Sequence, residues 1–430
     1  MNKPIKIAVA GLGTVGAETV KLLEENADLL EKRCGRALKV TAVCARDKSK
    51  DRGVPLGAMT WFNDPVVMAG QADADVVVEL IGGSEGIAKE TCEAAIFAGR
   101  HVVTANKALI AHHGTALAEA AEKAEVSLAF EAAVAGGIPI IKALREGLAA
   151  NRLTRVYGIL NGTCNYILTA MRESGREFHD VLAEAQELGY AEADPGFDID
   201  GVDAAHKLAI LASVAFGCEI NFKAVYSEGI RHISPLDIGF AEELGYRIKL
   251  LGIASRANGE IEQRVHPCMI PSEAPIATVE GVFNAVVTDG DFVDTLMQEG
   301  RGAGAGPTAS AVVADLVDIA RSCRTPAFAV PIADLDKISP KPMERHHGAY
   351  YIRLMVLDQP GVIADVSASL RDHDVSLEQL IQRGRAPGGA VSVVVTTHET
   401  DEEDILKVME EVAALDAVTE PPRMIRIETF

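Results

Sequence analysis

The sequence predicts an α/β protein in three consecutive parts: a doubly wound parallel sheet, an α+β region and a C-terminal βαββαβ unit. Two observations predict this. Short apolar runs alternate with helical patterns through the first third of the chain, and a second alternation, with a different order, occupies the last 80 or so residues. The predicted boundaries are 1–135, 136–306 and 350–430, with a linker at 326–349 and a helix at about 307–325 that completes the first part.

The first strand leads directly into a glycine turn and a helix. In "IKIAVAGLGTVGAETV", Gly11, Gly13 and Gly16 have the G-x-G-x-x-G spacing. The first glycine permits a tight turn, the second lets a pyrophosphate approach the backbone, and the third lets helix and strand pack closely. Thr14 and Val15 lie at the helix N-terminus, which attracts anions. A Rossmann dinucleotide-binding domain is therefore predicted; a tight turn without a ligand is the alternative.

The second strand, "LKVTAVCA", ends in the charged stretch "ARDKSK". An NAD enzyme usually presents an acidic residue here to the ribose 2′-hydroxyl. Asp47 is present, but Arg46 and Lys48 flank it, and cations suit a 2′-phosphate better. This predicts NADP in preference to NAD, which stays possible; an ordinary charged loop is the alternative.

The remaining elements of the first part follow in the same alternation. They are strand "DVVVELIGG", helix "GIAKETCEAAIFAG", strand "HVVTA", a helix after Lys107 and strand "VSLAFEAAV". The order indicates a parallel sheet.

The middle part changes to an α+β pattern. It contains helix "GIPIIKALREGLA", strand "RVYGIL", turn "NGT", an acidic loop, an apolar helix, and strand-like runs "KLLGIAS" and "FNAVVTD". A glycine-rich stretch, "GRGAGAGPTASAV", then opens the helix at about 307–325. Its backbone amides could hold an anionic or amide-bearing group, with Gly306 as a cofactor-binding candidate; a flexible crossover is the alternative.

The apolar helix carries an unusual ion pair. Asp203 and Lys207 are four residues apart and therefore share one helix face. Because apolar residues surround them on nearly all sides, the helix is predicted to be buried, and a buried lysine is rare unless it is paired. Burial and a carboxylate partner shift a lysine pKa in opposite directions, as proton-transfer groups require. A purely structural pair is the alternative.

The linker at 326–349 contains several prolines and the pair His346-His347, which lacks the spacing for one metal ion and is predicted to be solvated. Beyond it come strand "YYIRLMVLD", turn "QPG", helix "VIADVSASLRDH", strand "SLEQLIQRG", turn "APGG", strand "AVSVVVTTH", helix "DEEDILKVMEEVAAL" and strand "PRMIRIETF". The "QPG" turn exposes backbone amides beside Asp358 and Gly361, which suits a free amino acid.

Composition excludes several functional classes. The formal net charge of −21 disfavours nucleic acid and anionic membranes as partners. The longest apolar run is too short to span a bilayer, and no signal-peptide pattern precedes the first strand, so a cytoplasmic protein is expected. Seven scattered cysteines without CxxC spacing indicate reduced thiols and no zinc site.

Seven stretches in order carry a resemblance to a known family: "GLGTVG", "VTANKALIA", "FEAAVAGGIPII", "LNGTCNYIL", "EADPGFDIDGVDAAHK", "RGAGAGPTASAV" and "LDQPGVIADV". The chain resembles the homoserine dehydrogenases of the long, monofunctional type with a C-terminal ACT domain. The resemblance implies NAD(P)-dependent interconversion of L-homoserine and L-aspartate 4-semialdehyde, the branch step toward threonine, methionine and isoleucine. No aspartokinase segment precedes the first strand, so the monofunctional form is expected.

The resemblance also implies roles for particular residues. Glu192 matches the carboxylate that holds the substrate ammonium, and Asp198 in the same loop is expected to bind substrate. Asp203 and Lys207 match the pair that meets the reacting oxygen, and Lys107 a second lysine near the substrate and nicotinamide.

Two further sites are implied by the family pattern. Glu131, Val134, Gly136 and Ile138 match a monovalent-cation site, with sodium as the candidate, although a carboxylate beside a glycine turn is often structural. The ACT domain implies a homodimer or homotetramer, with threonine as the natural effector near Asp358 and Gly361; a tail that only dimerises is the alternative. When the chain is cut before Tyr350, catalysis is expected to be retained, whereas threonine inhibition is expected to be lost.

Two other functions compete with this one. Cys164, expected in the "NGT" turn, could act as a nucleophile in a phosphorylating semialdehyde dehydrogenase, but the sequence marks neither an activating histidine nor a phosphate site. The chain could also be an amino-acid sensor with an inert dinucleotide fold. Intact glycines in the fingerprint and both lysines argue against the sensor.

Overall fold

A computed structural model describes residues 3–384, 386 and 389–430. The predicted fold class is confirmed: a parallel sheet with flanking helices comes first, mixed sheet and helices follow, and the C-terminal unit has the order βαββαβ.

The N-terminal sheet has six strands in the order β3-β2-β1-β4-β5-β6, and every neighbouring pair is parallel. Its strands and helices are β1 (Ile5–Ala10), α1 (Thr14–Glu25), α2 (Ala27–Cys34), β2 (Leu38–Cys44), β3 (Thr60–Phe62), α3 (Pro65–Gln71), β4 (Val76–Glu79), α4 (Ile87–Phe97), β5 (His101–Thr104), α5 (Lys107–Lys123) and β6 (Leu128–Ala129). Because helices cover both faces, the central strands are buried apolar runs.

The middle region contributes six more strands and seven helices. They are α6 (Ile140–Lys142), β7 (Leu153–Ile159), α7 (Gly162–Ser174), α8 (Phe178–Glu187), α9 (Gly196–Ile199), α10 (Val202–Phe216), β8 (Tyr226–Ser227), α11 (Pro235–Glu243), β9 (Tyr246–Ala257), β10 (Glu260–Pro271), β11 (Phe283–Gly290), β12 (Asp294–Arg301) and α12 (Ala305–Ala320). Helix α12 returns to the first sheet, where Val312 and Leu316 share a core with Val20 and Val78.

The C-terminal region joins the same sheet as the middle region. Its elements are β13 (Ser339–Pro340), β14 (His347–Leu357), α13 (Val362–Asp372), β15 (Leu377–Gln382), β16 (Ala390–Thr397), β17 (Thr400–Asp401), α14 (Glu402–Ala413) and β18 (Arg423–Ile427). Strand β18 pairs in parallel with β10, with Cys268 opposite Arg426, and antiparallel with β14. One twelve-stranded sheet therefore runs through both regions, with β12-β11-β7-β9-β10-β18-β14-β16-β15 as its main path.

Two local predictions were wrong, and one predicted helix is present but irregular. The predicted strand at 126–134 is only β6, because the chain turns at the sheet edge into a 3-10 turn at Glu131–Ala133. The predicted helix "GIPIIKALREGLA" is the short α6 followed by a π-helix at Ala143–Gly147. The "NGT" stretch is not a turn but the start of α7, whose first amides are capped by Asn161.

Strand β10 was missed for a physical reason. Glu262, Gln263, Arg264 and His266 are charged or polar, so the stretch lacks the apolar alternation that marks a strand. All four side chains are nevertheless buried. The charged ones find their partners in the C-terminal region: Glu262 meets His346, and Arg264 forms an ion pair with Glu428 of the C-terminal tail.

The stretch between α12 and β14 is not the solvated linker that was predicted. His346 is 5% exposed and its Nδ1 lies 2.8 Å from Glu262 Oε1. His347 is exposed beside Asp401, as expected of a surface residue. The segment is held against β10 by this buried contact of His346 and by the pairing of β13 with β10.

The "APGG" turn includes Pro387 and Gly388, which lie outside the described residues. Among the residues that are described, no helix is long and apolar enough to cross a membrane.

Candidate active site

A cavity of about 390 Å³ opens beside the start of α5. Helix α5 begins directly after the carboxyl end of β5, the edge of a parallel sheet where ligands usually bind. The opposite wall comes from the starts of α7 and α10 and from the glycine-rich stretch before α12. The polar and charged residues in its lining are Lys107, Asn161, Thr163, Tyr190, Asp198, Asp203, Lys207, Asn284 and Arg301.

Lys107, Asp203 and Lys207 form one ionic group in this cavity, called here the cavity cluster. Asp203 Oδ1 lies 2.8 Å from Lys107 Nζ, and Asp203 Oδ2 lies 2.7 Å from Lys207 Nζ. Lys207 Nζ also donates a hydrogen bond to the Leu160 carbonyl oxygen at 2.7 Å. Two lysines from different helices thus share a single carboxylate.

Burial and mutual charge set the protonation of this cluster. Burial raises the pKa of Asp203, but the charges of Lys207 and Lys107 outweigh it and hold that pKa well below its usual range. Burial lowers the pKa of Lys207, and the charge of Lys107 adds to this, while Asp203 opposes it. Asp203 is therefore a permanent anion, and Lys207 gives up its proton more readily than an exposed lysine.

Asn161 organises the cluster and was not singled out from the sequence. Its Oδ1 accepts from the Cys164 backbone N–H and so caps α7, while its Nδ2 donates to Asp198 Oδ1 at 2.8 Å and to Asp203 Oδ2 at 2.9 Å. An asparagine ahead of an apolar helical run is a capping signal that could have been read here.

The two predicted substrate carboxylates lie at different depths. Asp198 lines the cavity, and burial, opposed by the Asn161 hydrogen bond, raises its pKa. Glu192 is exposed and does not line the cavity, although Tyr190, two residues earlier, does. Within the described part of the chain, the Glu192 carboxylate has no hydrogen-bond or ion-pair partner.

The glycine fingerprint has the geometry of a phosphate cradle. A Cβ on Gly16 would lie 1.9 Å from the Gly11 carbonyl oxygen, so this glycine is required by packing. A Cβ on Gly13 would have no neighbour within 4 Å and would point into open space. Helix α1 begins at Thr14 and Val15 with no side-chain cap, which leaves its first amides for a ligand.

The end of β2 brings several cations together. Arg46 and Lys48 are exposed, while the Asp47 carboxylate is turned toward Ser49, whose backbone N lies 2.8 Å away. Arg52 was missed by the sequence analysis. Its Nε donates to the Leu12 carbonyl oxygen within the fingerprint at 3.1 Å, and its guanidinium carbon lies 5.6 Å from the centroid of the Trp61 ring.

The glycines before α12 lie on the same side of the molecule as the cavity. Gly302 and Gly304 line it. Gly306 lies in the first turn of α12, and a Cβ there would meet nothing within 4 Å. Helix α12, like α1, begins without a side-chain cap.

Three family models match the chain. The one described as homoserine dehydrogenase matches residues 139–317, the homoserine dehydrogenase NAD-binding domain matches residues 11–131, and the ACT domain matches residues 350–417.

Named relatives extend over the whole chain. A homoserine dehydrogenase of Neisseria gonorrhoeae is 48% identical over 100% of this chain and 99% of its own length, and one of Pseudomonas aeruginosa is 47% identical over 99% of each. The crystal structure of a homoserine dehydrogenase from Thiobacillus denitrificans superposes with a TM-score of 0.94 at 46% identity, covering 99% of this chain and 98% of that one.

The chain belongs to the homoserine dehydrogenase family.

A more distant member, a hyperthermophilic archaeal homoserine dehydrogenase, was solved in complex with NADPH. It superposes with a TM-score of 0.65 at 27% identity, covering 76% of this chain and 100% of that one.

Cys164 does not suit thiol catalysis in this homoserine dehydrogenase family member. It lies in the first turn of α7 and is fully buried, with its Sγ 3.3 Å from the Asp198 carbonyl oxygen. Burial, together with nearby carboxylates such as Asp198, raises the pKa of the thiol well above its usual value. A buried thiol in an acidic setting is a poor nucleophile, so the alternative of a phosphorylating semialdehyde dehydrogenase with Cys164 as nucleophile is not favoured.

The stretch matched to a cation site is wholly buried apart from Gly137. Glu131 accepts hydrogen bonds from the backbone amides of Ile141 at 2.9 Å and Lys142 at 2.8 Å. The Glu131 amide in turn donates to Asp315 of α12, whose pKa burial and the nearby Glu131 charge raise to about 7. A cation here would be held chiefly by main-chain carbonyls, with those of Val134, Gly136 and Ile138 as candidates.

The turn before α13 borders a second cavity, of about 360 Å³. Asp358 and Gly361 both line it. The Asp358 carboxylate accepts from the Ala386 backbone N–H at 2.9 Å, and Gly361 precedes α13 with a left-handed φ of 101°. Helix α13 begins without a side-chain cap.

A second ionic group joins the ACT domain to the rest of the chain. Arg426 of β18 donates to Glu402 at the start of α14 at 2.8 Å and forms an ion pair with Glu228 at 2.8 Å. These three residues are called here the junction cluster. Next to Glu228, Ser227 Oγ donates to the Asp200 carbonyl oxygen at 3.1 Å, and the Ile230 amide to that of Ile199 at 2.9 Å. The junction cluster thus adjoins the loop that carries Asp198.

Proposed function

We propose that this chain interconverts L-homoserine and L-aspartate 4-semialdehyde, with NADP as the preferred nucleotide and NAD as a possible second one. The observation that carries the proposal is the cavity cluster, in which two lysines share one buried carboxylate beside a dinucleotide fold. The product would feed threonine, methionine and isoleucine biosynthesis.

The cluster suits the charge changes of this reaction. A bound nicotinamide supplies or accepts the hydride. When the aldehyde is reduced, its oxygen gains negative charge and needs both positive charge and a proton. Lys207 is the proton donor because burial lowers its pKa, and Lys107 contributes a second positive charge. In the direction of oxidation, neutral Lys207 accepts the hydroxyl proton, and Asp203 holds both lysines in place.

The amino-acid end of the substrate would lie against the acidic loop. Asp198 offers a carboxylate to the substrate ammonium inside the cavity, and Glu192 a second one near its mouth. The substrate carboxylate would lie at the start of α7, where Gly162 and Thr163 line the cavity and the helix N-terminus favours negative charge.

The preference for NADP rests on the end of β2. Arg46 and Lys48 are exposed for a 2′-phosphate, whereas Asp47, the acid that would bind an NAD ribose, is hydrogen-bonded to Ser49. Gly11, Gly13, Thr14, Val15 and Gly16 would hold the pyrophosphate. On the far side, Gly306 and the uncapped start of α12 would face the nicotinamide half.

Initial rates of homoserine oxidation with each nucleotide test this function. The wild type is expected to be active with both and faster with NADP. Arg46→Ala should raise KM for NADP by about tenfold, which corresponds to roughly 1.4 kcal/mol of lost pairing, and change the rate with NAD little. Equal loss with both nucleotides would contradict the role of Arg46, and absence of homoserine oxidation in the wild type would contradict the function.

Sodium is the proposed occupant of the stretch from Glu131 to Ile138. Support comes from the positive φ of 52° at Gly136, where the chain turns, and from the nearby carboxyl groups of Glu131 and Asp315. Rates in sodium, potassium and a bulky organic cation at equal ionic strength test it. Identical rates and identical thermal midpoints in all three would remove the proposal.

Threonine is the proposed effector of the ACT domain, at the cavity beside Asp358 and Gly361. The turn offers free helix amides for a carboxylate and the Asp358 side chain for an ammonium. Threonine should inhibit the wild type and should inhibit Asp358→Ala less. Inhibition that is equal in both would place the effector elsewhere.

The structure argues against truncation before Tyr350 as a test. The cut would remove β18 from beside β10 and would leave Glu228, Asp237 and Arg264 without their buried partners. Uncompensated buried charges are strongly destabilising. Point changes within the ACT domain are therefore the appropriate probe.

A homodimer or homotetramer in the cytoplasm is the proposed assembly and location. Support comes from the terminal strands β12 and β15 of the large sheet, each of which pairs on one side only along the path of that sheet.

A further inference from the structure

Lys107 has two different neighbours on two sides. Asp203 Oδ1 lies 2.8 Å from its ammonium nitrogen, and the centroid of the Phe197 ring lies 5.5 Å from the same atom. Phe197 lies on the short helix α9 in the acidic loop and is 44% exposed. A phenylalanine this exposed contributes little to a core, so its place beside a charged group of the cavity cluster calls for an explanation.

The Phe197 ring is supported from behind by other rings. The His206 ring lies 5.6 Å from it and stacks on Phe222 at 4.2 Å with an interplanar angle of 16°. His206 Nε2 lies 3.2 Å from His112 Nε2. Burial, together with the neighbouring His112 ring, lowers the pKa of His206 to about 4, so His206 is neutral at pH 7. His206 therefore supports the Phe197 ring without placing another positive charge behind it.

An aromatic ring suits Lys107 better than a second acid would. Two ammonium groups already share the single carboxylate of Asp203. The next carboxylate in the cavity, Asp198, is hydrogen-bonded to Asn161, so the charge of Lys107 has no carboxylate of its own. A carboxylate beside Lys107 would cancel that charge and accept its N–H groups. A ring face stabilises the cation through its quadrupole and leaves the N–H groups free to point into the cavity.

We propose that Phe197 is a positioning residue for Lys107, holding its ammonium group toward the reacting oxygen through a cation–π contact. The inference rests on the proposed homoserine dehydrogenase reaction and adds to it a residue of the acidic loop that acts through Lys107.

The test compares Phe197→Leu, which removes the ring, with Phe197→Tyr, which keeps it. Phe197→Leu should lower kcat for aldehyde reduction by about 2- to 30-fold, the range expected for one cation–π contact, with little change in KM. The alkaline limb of its pH–rate profile, which Lys207 sets as the proton donor, should move to higher pH, because a displaced Lys107 would lower the pKa of Lys207 less. Phe197→Tyr should restore both quantities.

Phe292→Leu is the matched control, since Phe292 is 87% exposed in the turn between β11 and β12. It should behave as the wild type. The proposal is overturned if Phe197→Leu has the wild-type kcat and pH profile, or if Phe197→Tyr loses as much activity as Phe197→Leu, which would indicate loop packing. A wild type without homoserine activity would instead contradict the proposed function.

Discussion

The cavity cluster and the junction cluster are built from the same kind of parts but with opposite charge balance. In the cavity cluster two lysines share one carboxylate, so positive charge is in excess. In the junction cluster two carboxylates share Arg426, so negative charge is in excess. The cavity cluster lines a cavity of about 390 Å³. In the junction cluster, by contrast, Arg426 is only 2% exposed.

The difference shows what separates a reactive ionic group from a structural one. Burial alone does not separate the two, because Asp203 and Glu402 are both buried. A group can act on a ligand when its uncompensated charge faces a space that a ligand can enter and when one member exchanges protons readily. The lowered pKa of Lys207 meets that condition, whereas the guanidinium of Arg426 keeps its proton at any ordinary pH.

The largest expected effect distinguishes two buried lysines. Lys207→Ala should lower turnover by roughly 10²–10⁴-fold, because it removes the proton-transfer group, and should change stability little, because Asp203 keeps Lys107 as a partner. Lys249→Ala is the control. Lys249 is buried and does not line the cavity, and its Nζ donates a hydrogen bond to the Val279 carbonyl oxygen at 2.6 Å. Its loss should therefore lower the thermal midpoint more than it lowers kcat. Steady-state rates and thermal unfolding measure both, and a Lys207→Ala protein with near wild-type turnover would contradict the assignment.

The next effect concerns the junction cluster. Arg426→Met should lower the free energy of unfolding by about 3–5 kcal/mol, because Glu402 would stay buried without its partner and the partly buried Glu228 would lose its guanidinium. Arg345→Met removes an exposed pair with Glu260 and should cost less than about 1 kcal/mol. Denaturant unfolding compares them. Equal costs would show that the junction cluster is no more than a surface ion pair in its energetics.

The smallest effect is the acid response of the same cluster. Burial raises the pKa of Glu228, but the hydrogen bond from His232 and the charge of Arg426 outweigh it and lower that pKa to about 2. A carboxylate with a lowered pKa stabilises the fold above its unfolded-state value of about 4.5, and this contribution is lost as pH falls toward 2. Glu228→Gln should therefore flatten the dependence of unfolding free energy on pH between about 4.5 and 2. An unchanged slope would show that other carboxylates dominate the acid response.

The contrast between the clusters also shows how far sequence reasoning reached. Asp203 and Lys207 could be paired from their spacing, since an α-helix places residues four apart on one face. The glycine fingerprint could likewise be interpreted locally, because Gly16 is required by its contact with Gly11 only five residues earlier. The roles of Lys107 and Glu192 came from family resemblance. The structure brings Lys107 to Asp203, whereas it leaves Glu192 outside the cavity lining.

Other features were decided by tertiary structure alone. The sequence predicted a turn at Asn161, and only the structure shows that its side-chain amide donates to both Asp198 and Asp203. The sequence of β10 is too polar to predict a buried strand, because the residues that pair with its charged side chains, such as Glu428, lie at the far end of the chain. A buried charge is stable only where an opposite charge meets it, and no local pattern records where a distant partner will lie. For this protein, periodicity and turn chemistry determined the elements and the dinucleotide fold, whereas the closing of β18 onto β10 decided that the regulatory and substrate regions share one sheet.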